Sequence, residues 1–248
     1  ELFEALARDV RERARRLLAE RALAGEPARK EGEPQVGRGG GGRGEHGDPA
    51  RSSDAFGNRG CRADEVAAAQ AHPADADGVA EVMRVVRQQV AAGADWIKMY
   101  GSTGSGDDVS GQQTFTYEEM KAAVDAAHSL GKRIAIHSYG ASGARDAVRA
   151  GADSVEHAVD LDDATMQEMI RRRIFYVPTI DHNRYYIENA AGFGYTAEAV
   201  ERMKSFLARN LQTTRRAHQL GVRIAMGSDA VMTMFGQNTR ELGWFVQA

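Results

Sequence analysis

Four residues of this chain have types and spacing that could do chemistry together: Lys98, His137, His157 and Asp229, separated by 39, 20 and 72 positions. The two histidines close short apolar runs, Ile134-Ala135-Ile136 and Ser154-Val155-Glu156, with a helix-like segment between them. That pattern reads as a βαβ unit, in which parallel strands joined by one crossover helix bring their C-terminal ends side by side. Neighbouring imidazoles at a strand rim suit a metal ion; the plainer alternative is a hydrogen-bonded histidine at each strand end. Lys98 stands near the end of a third apolar run, Asp95 to Tyr100, and Asp229 closes a fourth, Val222 to Asp229. Ionisable groups gathered there merely by packing would carry a desolvation cost, which argues for a shared site.

A second tier of residues could meet a substrate. Tyr100 lies two positions after Lys98, Tyr139 two after His137, and His182 with Arg184 follows the run ending at Thr179. Arginine offers a bidentate fork to a carboxylate; the competing reading is a polar loop with aromatic packing. His128 and His218 sit three residues before a glycine at the ends of helical segments, where they complement the helix dipole. Met232, Met234 and Phe235 read as packing at the top of the fold or as a pocket wall.

These side chains must be positioned by repeating strand-then-helix units. Val79, Val82, Met83, Val86 and Val90 mark one face of a helix ending at Ala92-Gly93, and a strand follows over 95–100. Thr116 and Glu119 form a capping box opening a helix that ends at Leu130-Gly131. Strands over 133–137, 153–157, 174–179 and 222–229 alternate with helices over 142–150, 162–172 and 196–220. Residues 181–186 read as a polar aromatic loop, and the chain closes inside a further helix at 244–248. Five such units predict an α/β fold with a parallel sheet, and a (β/α) barrel of the TIM type fits best. A doubly wound sheet lacks its glycine fingerprint here, because Gly101 to Gly106 does not open directly on a helix.

The chain divides into an Ala- and Arg-rich surface helix over 1–24, a Gly-rich loop or disordered segment over 25–76, and the barrel over 77–248. The middle segment holds Gly39 to Gly42 and almost no large apolar side chain, so it cannot bury enough surface to fix one conformation. Its Glu45-His46-Gly47-Asp48 reads as solvated loop. A net charge of −3 argues against a broad nucleic-acid footprint. The single cysteine, Cys61, supplies neither a disulfide framework nor a thiolate cluster, so any metal falls to His and carboxylate. No run reaches the apolar length of a membrane helix and no signal-like block opens the chain, which predicts a cytoplasmic protein; starting on Glu1 rather than Met leaves an exported precursor open.

The stretches Trp96-Ile97-Lys98-Met99-Tyr100, Ile136-His137-Ser138-Tyr139-Gly140, Val155-Glu156-His157-Ala158 and Met226-Gly227-Ser228-Asp229-Ala230, in this order and spacing, resemble the amidohydrolase superfamily, in its metal-dependent prolidase-like and amidase-like branch. The resemblance implies a barrel in which Lys98, carboxylated by carbon dioxide, bridges two divalent ions, zinc foremost. His137 and His157 would bind one ion, and Asp229 would bind the other and move a proton. The implied reaction is hydrolysis of an amide or peptide-like bond in a small, dipeptide-like substrate. One family feature is missing: a His-x-His pair at the end of the first barrel strand occurs nowhere, and His46 and His72 stand alone. The chain therefore reads as an incomplete barrel with its N-terminal strands absent or irregular, offering one firm metal site. The rival expectation is an inactive barrel fragment serving folding or association, whose open edges favour homo-oligomers. A metal-free phosphate-binding barrel fits less well, since Gly227-Ser228-Asp229 presents a carboxylate where an anion loop is needed.

Overall fold

A computed structural model describes residues 76–248; the helix expected over 1–24 and, apart from Ala76, the Gly-rich segment over 25–76 lie outside the described residues. Helix α1 (Val79–Ala91) leads into β1 (Trp96–Tyr100), and then α2 (Tyr117–Ser129), β2 (Arg133–Ser138), α3 (Ala141–Ala150), β3 (Ser154–His157), α4 (Asp163–Arg172) and β4 (Phe175–Val177) alternate. Three helices, α5 (Ile180–Glu188), α6 (Ala190–Phe193) and α7 (Ala197–Leu220), separate β4 from β5 (Arg223–Ile224), and α8 (Glu241–Gln247) follows two 3-10 turns. All neighbours pair in parallel, in the order β1-β2-β3-β4-β5. A doubly wound sheet would reverse its order at a switch point, whereas steps of one strand in one direction are the winding of a (β/α) barrel. The described residues thus form five consecutive barrel strands with their helices.

The pleat sorts side chains between two faces. Ile97, Met99, Ile134, Ile136, Val155 and Tyr176 are fully buried and join Val82, Val86, Met120, Ala147, Met166 and Met169 of the helices in one core. Each such aliphatic side chain contributes about 1.5–3 kcal/mol when buried. The alternate positions, Lys98 and Tyr100, Ala135 and His137, Ser154 and Glu156, fall on the opposite face, and register aligns Tyr100 with His137 and His137 with Glu156. One parity therefore builds the core, and the other carries Lys98, His137 and Glu156.

Helix ends follow the sequence. The capping box forms, with Thr116 Oγ1 accepting from Glu119 N and Glu119 Oε2 accepting from Thr116 N. Asp162 caps α4 by accepting from Thr165 N at 2.7 Å. Gly104, at φ +136°, lets its loop lie on the ring of Tyr139; a Cβ there would come within 2.3 Å of that ring.

Two expectations change. The strand over 222–229 pairs only at Arg223 and Ile224, and the remainder runs as irregular chain to Asp229. Its neighbour β4 ends at Val177 before Pro178, which has no N–H to extend a ladder. Residues 181–186, expected as loop, lie in helix α5. Its first N–H groups, of Ile180 and Asp181, donate to Glu241 Oε1 and Oε2 at 2.8 Å each. A carboxylate about 60 residues away thus satisfies donors that no local cap meets. No helix among the described residues is long and apolar enough to cross a membrane.

Candidate functional site

Strands β1 to β4 and the chain after β5 open onto one cavity of about 750 Å³, lined by Lys98, Tyr100, His137, Tyr139, His157, His182 and Asp229. Seven of the eight residues singled out from sequence therefore share it. Arg184 does not line it: its guanidinium is committed to Asp181, at 2.6 and 3.1 Å, and to Glu188. The bidentate fork exists, but its carboxylate is Asp181 of the same helix rather than a substrate.

Lys98 lies at the middle of β1 rather than at its end, and its ammonium forms an ion pair with Glu156 across β2. In register Ala135 stands beside Lys98 and His137 beside Glu156, so the pair runs diagonally over β2. His137, two places further along its strand, is 4 % exposed, and its Nε2 is buried with no hydrogen-bond partner. The ring sits between those of Tyr100 and Tyr139, with centroids at 4.5 and 5.1 Å. Burial first, then the Lys98 ammonium and the neighbouring His182 ring, lower its pKa to about 3, so the ring is neutral.

His157 is equally buried, and its centroid lies 4.5 Å from that of His137. Burial, and then His137, Lys98 and His182, hold it well below the ordinary histidine range. Its backbone has φ 71°, and Thr179 and Asp229 share this left-handed conformation at φ 49° and 44°. Such a conformation costs about 1–3 kcal/mol in a residue other than glycine and collects where function holds the backbone. Thr179 Oγ1 lies 2.5 Å from His157 Nδ1.

The Asp229 carboxylate is partly exposed, and its Oδ2 lies 3.2 Å from His182 Nδ1. The same Nδ1 donates to the main-chain oxygen of Asp229 at 2.7 Å, which fixes the proton on that nitrogen. Tyr186 stands edge-on to His182 with centroids 4.9 Å apart, and burial chiefly raises its phenol to about 12. Tyr139 is fully enclosed, stacked on Phe206 as well as on His137, and burial holds its phenol well above the ordinary range. Val177, Val231, Met232 and Phe235 form the apolar wall of the cavity, and Met234 is buried beneath.

No three His, Cys, Asp or Glu side chains among the described residues are grouped to share one ion. What the site does offer is a pair of adjacent neutral imidazoles, one with an orphaned buried nitrogen, and a carboxylate on the same cavity. A buried polar atom without a partner costs about 1–3 kcal/mol, and a divalent ion is a partner suited to a neutral imidazole nitrogen. The donor chemistry fits an ion at the histidine pair.

Glu156, Thr179 and Tyr186 were not singled out from sequence. Glu156 was findable in part, because alternation puts it on the same face as Ser154, while the register sets it beside His137. Thr179 was not, since its approach to His157 depends on two left-handed backbone turns.

The sequence pattern of the Amidohydrolase family matches residues 44–244. Ochratoxinase of Aspergillus niger is 33% identical over 156 residues, which cover 62% of this chain and 32% of that protein. Among solved structures, a Xaa-Pro dipeptidase with methionine bound in its active site superposes with a TM-score of 0.65 at 33% identity, covering 73% of this chain and 46% of the other. The structure of A. niger ochratoxinase gives 0.62 at 28% identity, covering 70% and 39%. The chain thus spans between about a third and a half of the length of these relatives.

Proposed function

Because this chain belongs to the amidohydrolase family, we propose that it hydrolyses an amide or peptide-like C–N bond in a small substrate, with a divalent ion held at His137 and His157. The observation that carries this reading is the orphaned Nε2 of His137 beside His157, on a cavity shared with Lys98 and Asp229. The likeness to a Xaa-Pro dipeptidase favours a dipeptide-like substrate.

A bound ion, zinc on the chemistry of its nitrogen and oxygen donors, supplies polarisation of the scissile carbonyl and an acidified water. The chain's own residues do the rest. Lys98, released from Glu156 and deprotonated, would add through its amine nitrogen to carbon dioxide and give up a second proton to solvent, presenting a carbamate oxygen in place of its amine. Asp229 takes one proton from the attacking water and gives it to the departing nitrogen, so that acid and amine leave balanced. His182 holds Asp229 through one ring nitrogen, Nδ1, which donates to the main-chain oxygen and lies beside the carboxylate. Tyr100, Tyr139 and His182 border the substrate, and the wall of Val177, Val231, Met232 and Phe235 accepts an apolar group.

The test is turnover of dipeptides and N-acyl amino acids by protein loaded with zinc or manganese and by the same protein after exhaustive chelation. Loss on chelation with recovery on reloading is expected; full activity in metal-free protein overturns the proposal. A second reading, an association module without activity, draws on the open edges at β1 and β5 of the described sheet, where exposed Trp96 stands. Absence of stoichiometric metal, together with stable oligomers, would favour it.

A further inference from the structure

Thr179 follows β4, is 3 % exposed, and holds a left-handed backbone that a β-branched residue rarely adopts. Its hydroxyl touches two groups: Pro178 O at 2.8 Å and His157 Nδ1 at 2.5 Å. A hydroxyl has a single proton to give. Pro178 O, a main-chain carbonyl, can only accept, and its second lone pair takes the hydrogen of Asn210 Nδ2 at 2.8 Å from helix α7. With the Thr179 proton directed to that carbonyl, the hydroxyl oxygen presents a lone pair to His157, so Nδ1 carries the ring hydrogen. The lone pair of the imidazole is then left on Nε2.

We propose that Thr179 is a positioning residue that locks His157 in its Nδ1–H tautomer and so makes Nε2 its donor nitrogen. The consequence for metal binding rests on the ligand role given to His157 above; the tautomer does not. The opposite arrangement, with the hydroxyl donating to Nδ1 and a hydrogen on Nε2, would leave His157 unable to ligate through that nitrogen. The left-handed backbone at Thr179 accompanies the seating of Oγ1 on the ring. A second contact supports the placement: Tyr176, buried between β3 and α7, donates to Ala158 O at 2.7 Å and holds the chain directly after His157.

The test is nitrogen-15 NMR of the His157 ring in the metal-free protein, with zinc affinity as a second readout. The wild type and Thr179→Ser are expected to show the Nδ1–H tautomer, and Thr179→Val to lose it. Thr179→Ala serves as a second hydroxyl-free variant should the valine strain the turn. Zinc affinity should fall about 10- to 100-fold in the hydroxyl-free variants and be recovered by serine. An Nε2–H tautomer in the wild type, or a tautomer unchanged in both hydroxyl-free variants, overturns the proposal. The expected tautomers in a protein that binds no zinc would uphold the role of Thr179 and overturn the metal reading instead.

Discussion

The rings of His137 and His157 meet at 4.5 Å although the pleat of β3 aims position 157 away from position 137. His137 pairs in register with Glu156, and His157 with Ser138, so regular strands would put the two rings on opposite faces. At φ 71° His157 leaves the pleat, and its ring turns to the side that Lys98 and Glu156 occupy. The histidine pair is thus made by a backbone conformation as much as by two residue types.

The orphaned Nε2 of His137 gives a first prediction. His137→Leu removes a buried unsatisfied atom and is expected to raise the unfolding free energy of the metal-free protein by about 1 kcal/mol. The same variant should take up no divalent ion. Urea unfolding and elemental analysis read the two effects; a variant that is both less stable and fully loaded with metal would contradict the account.

Asp229→Asn keeps the shape of the side chain and the main-chain oxygen that His182 holds. Metal content should stay at the wild-type level, while kcat falls about 10²- to 10⁴-fold as proton transfer is lost. Retained turnover would remove Asp229 from the mechanism.

Arg184 separates a structural role from a substrate role. Asp181 is 2 % exposed and accepts from Arg184 and, at 2.8 Å, from Trp244 Nε1. Arg184→Ala leaves that buried carboxylate short of its main partner and should cost about 3 kcal/mol of stability. KM for a substrate bearing a carboxylate should be unchanged in the folded fraction; a large rise in KM at wild-type stability would restore the substrate fork.

Glu241 links stability to pH. Burial, first, and the Asp181 charge raise its pKa to about 7 against the backbone N–H groups of Asp181 and Ile180, which lower it; the ordinary value is 4.5. The folded state therefore holds the proton more tightly than the unfolded chain. The stability this confers is complete below about pH 4.5 and is lost as pH rises through about 7, by about 1.4 kcal/mol per unit at most. The buried histidines act oppositely below pH 6.5, so the informative quantity is wild type minus Glu241→Gln. That difference should fall between pH 5 and pH 8 in urea melts; a flat difference would show that Glu241 does not titrate in this range.

Residue order and spacing alone determined the strand-helix alternation, the parallel sheet and the capping box at Thr116, and they picked out Lys98, His137, His157 and Asp229, which the tertiary structure brings to one cavity. Hydrophobic periodicity and cap chemistry are local, so they can be read along the chain. Only the tertiary structure decided that 181–186 is helical, because its free N–H groups are met by Glu241 from α8. It also decided that Arg184 serves Asp181, that Lys98 pairs with Glu156 over β2, and that Thr179 reaches His157. Each of these depends on which distant group completes a hydrogen bond or ion pair, and on left-handed turns at strand ends. Residue type permits such arrangements, but packing selects them.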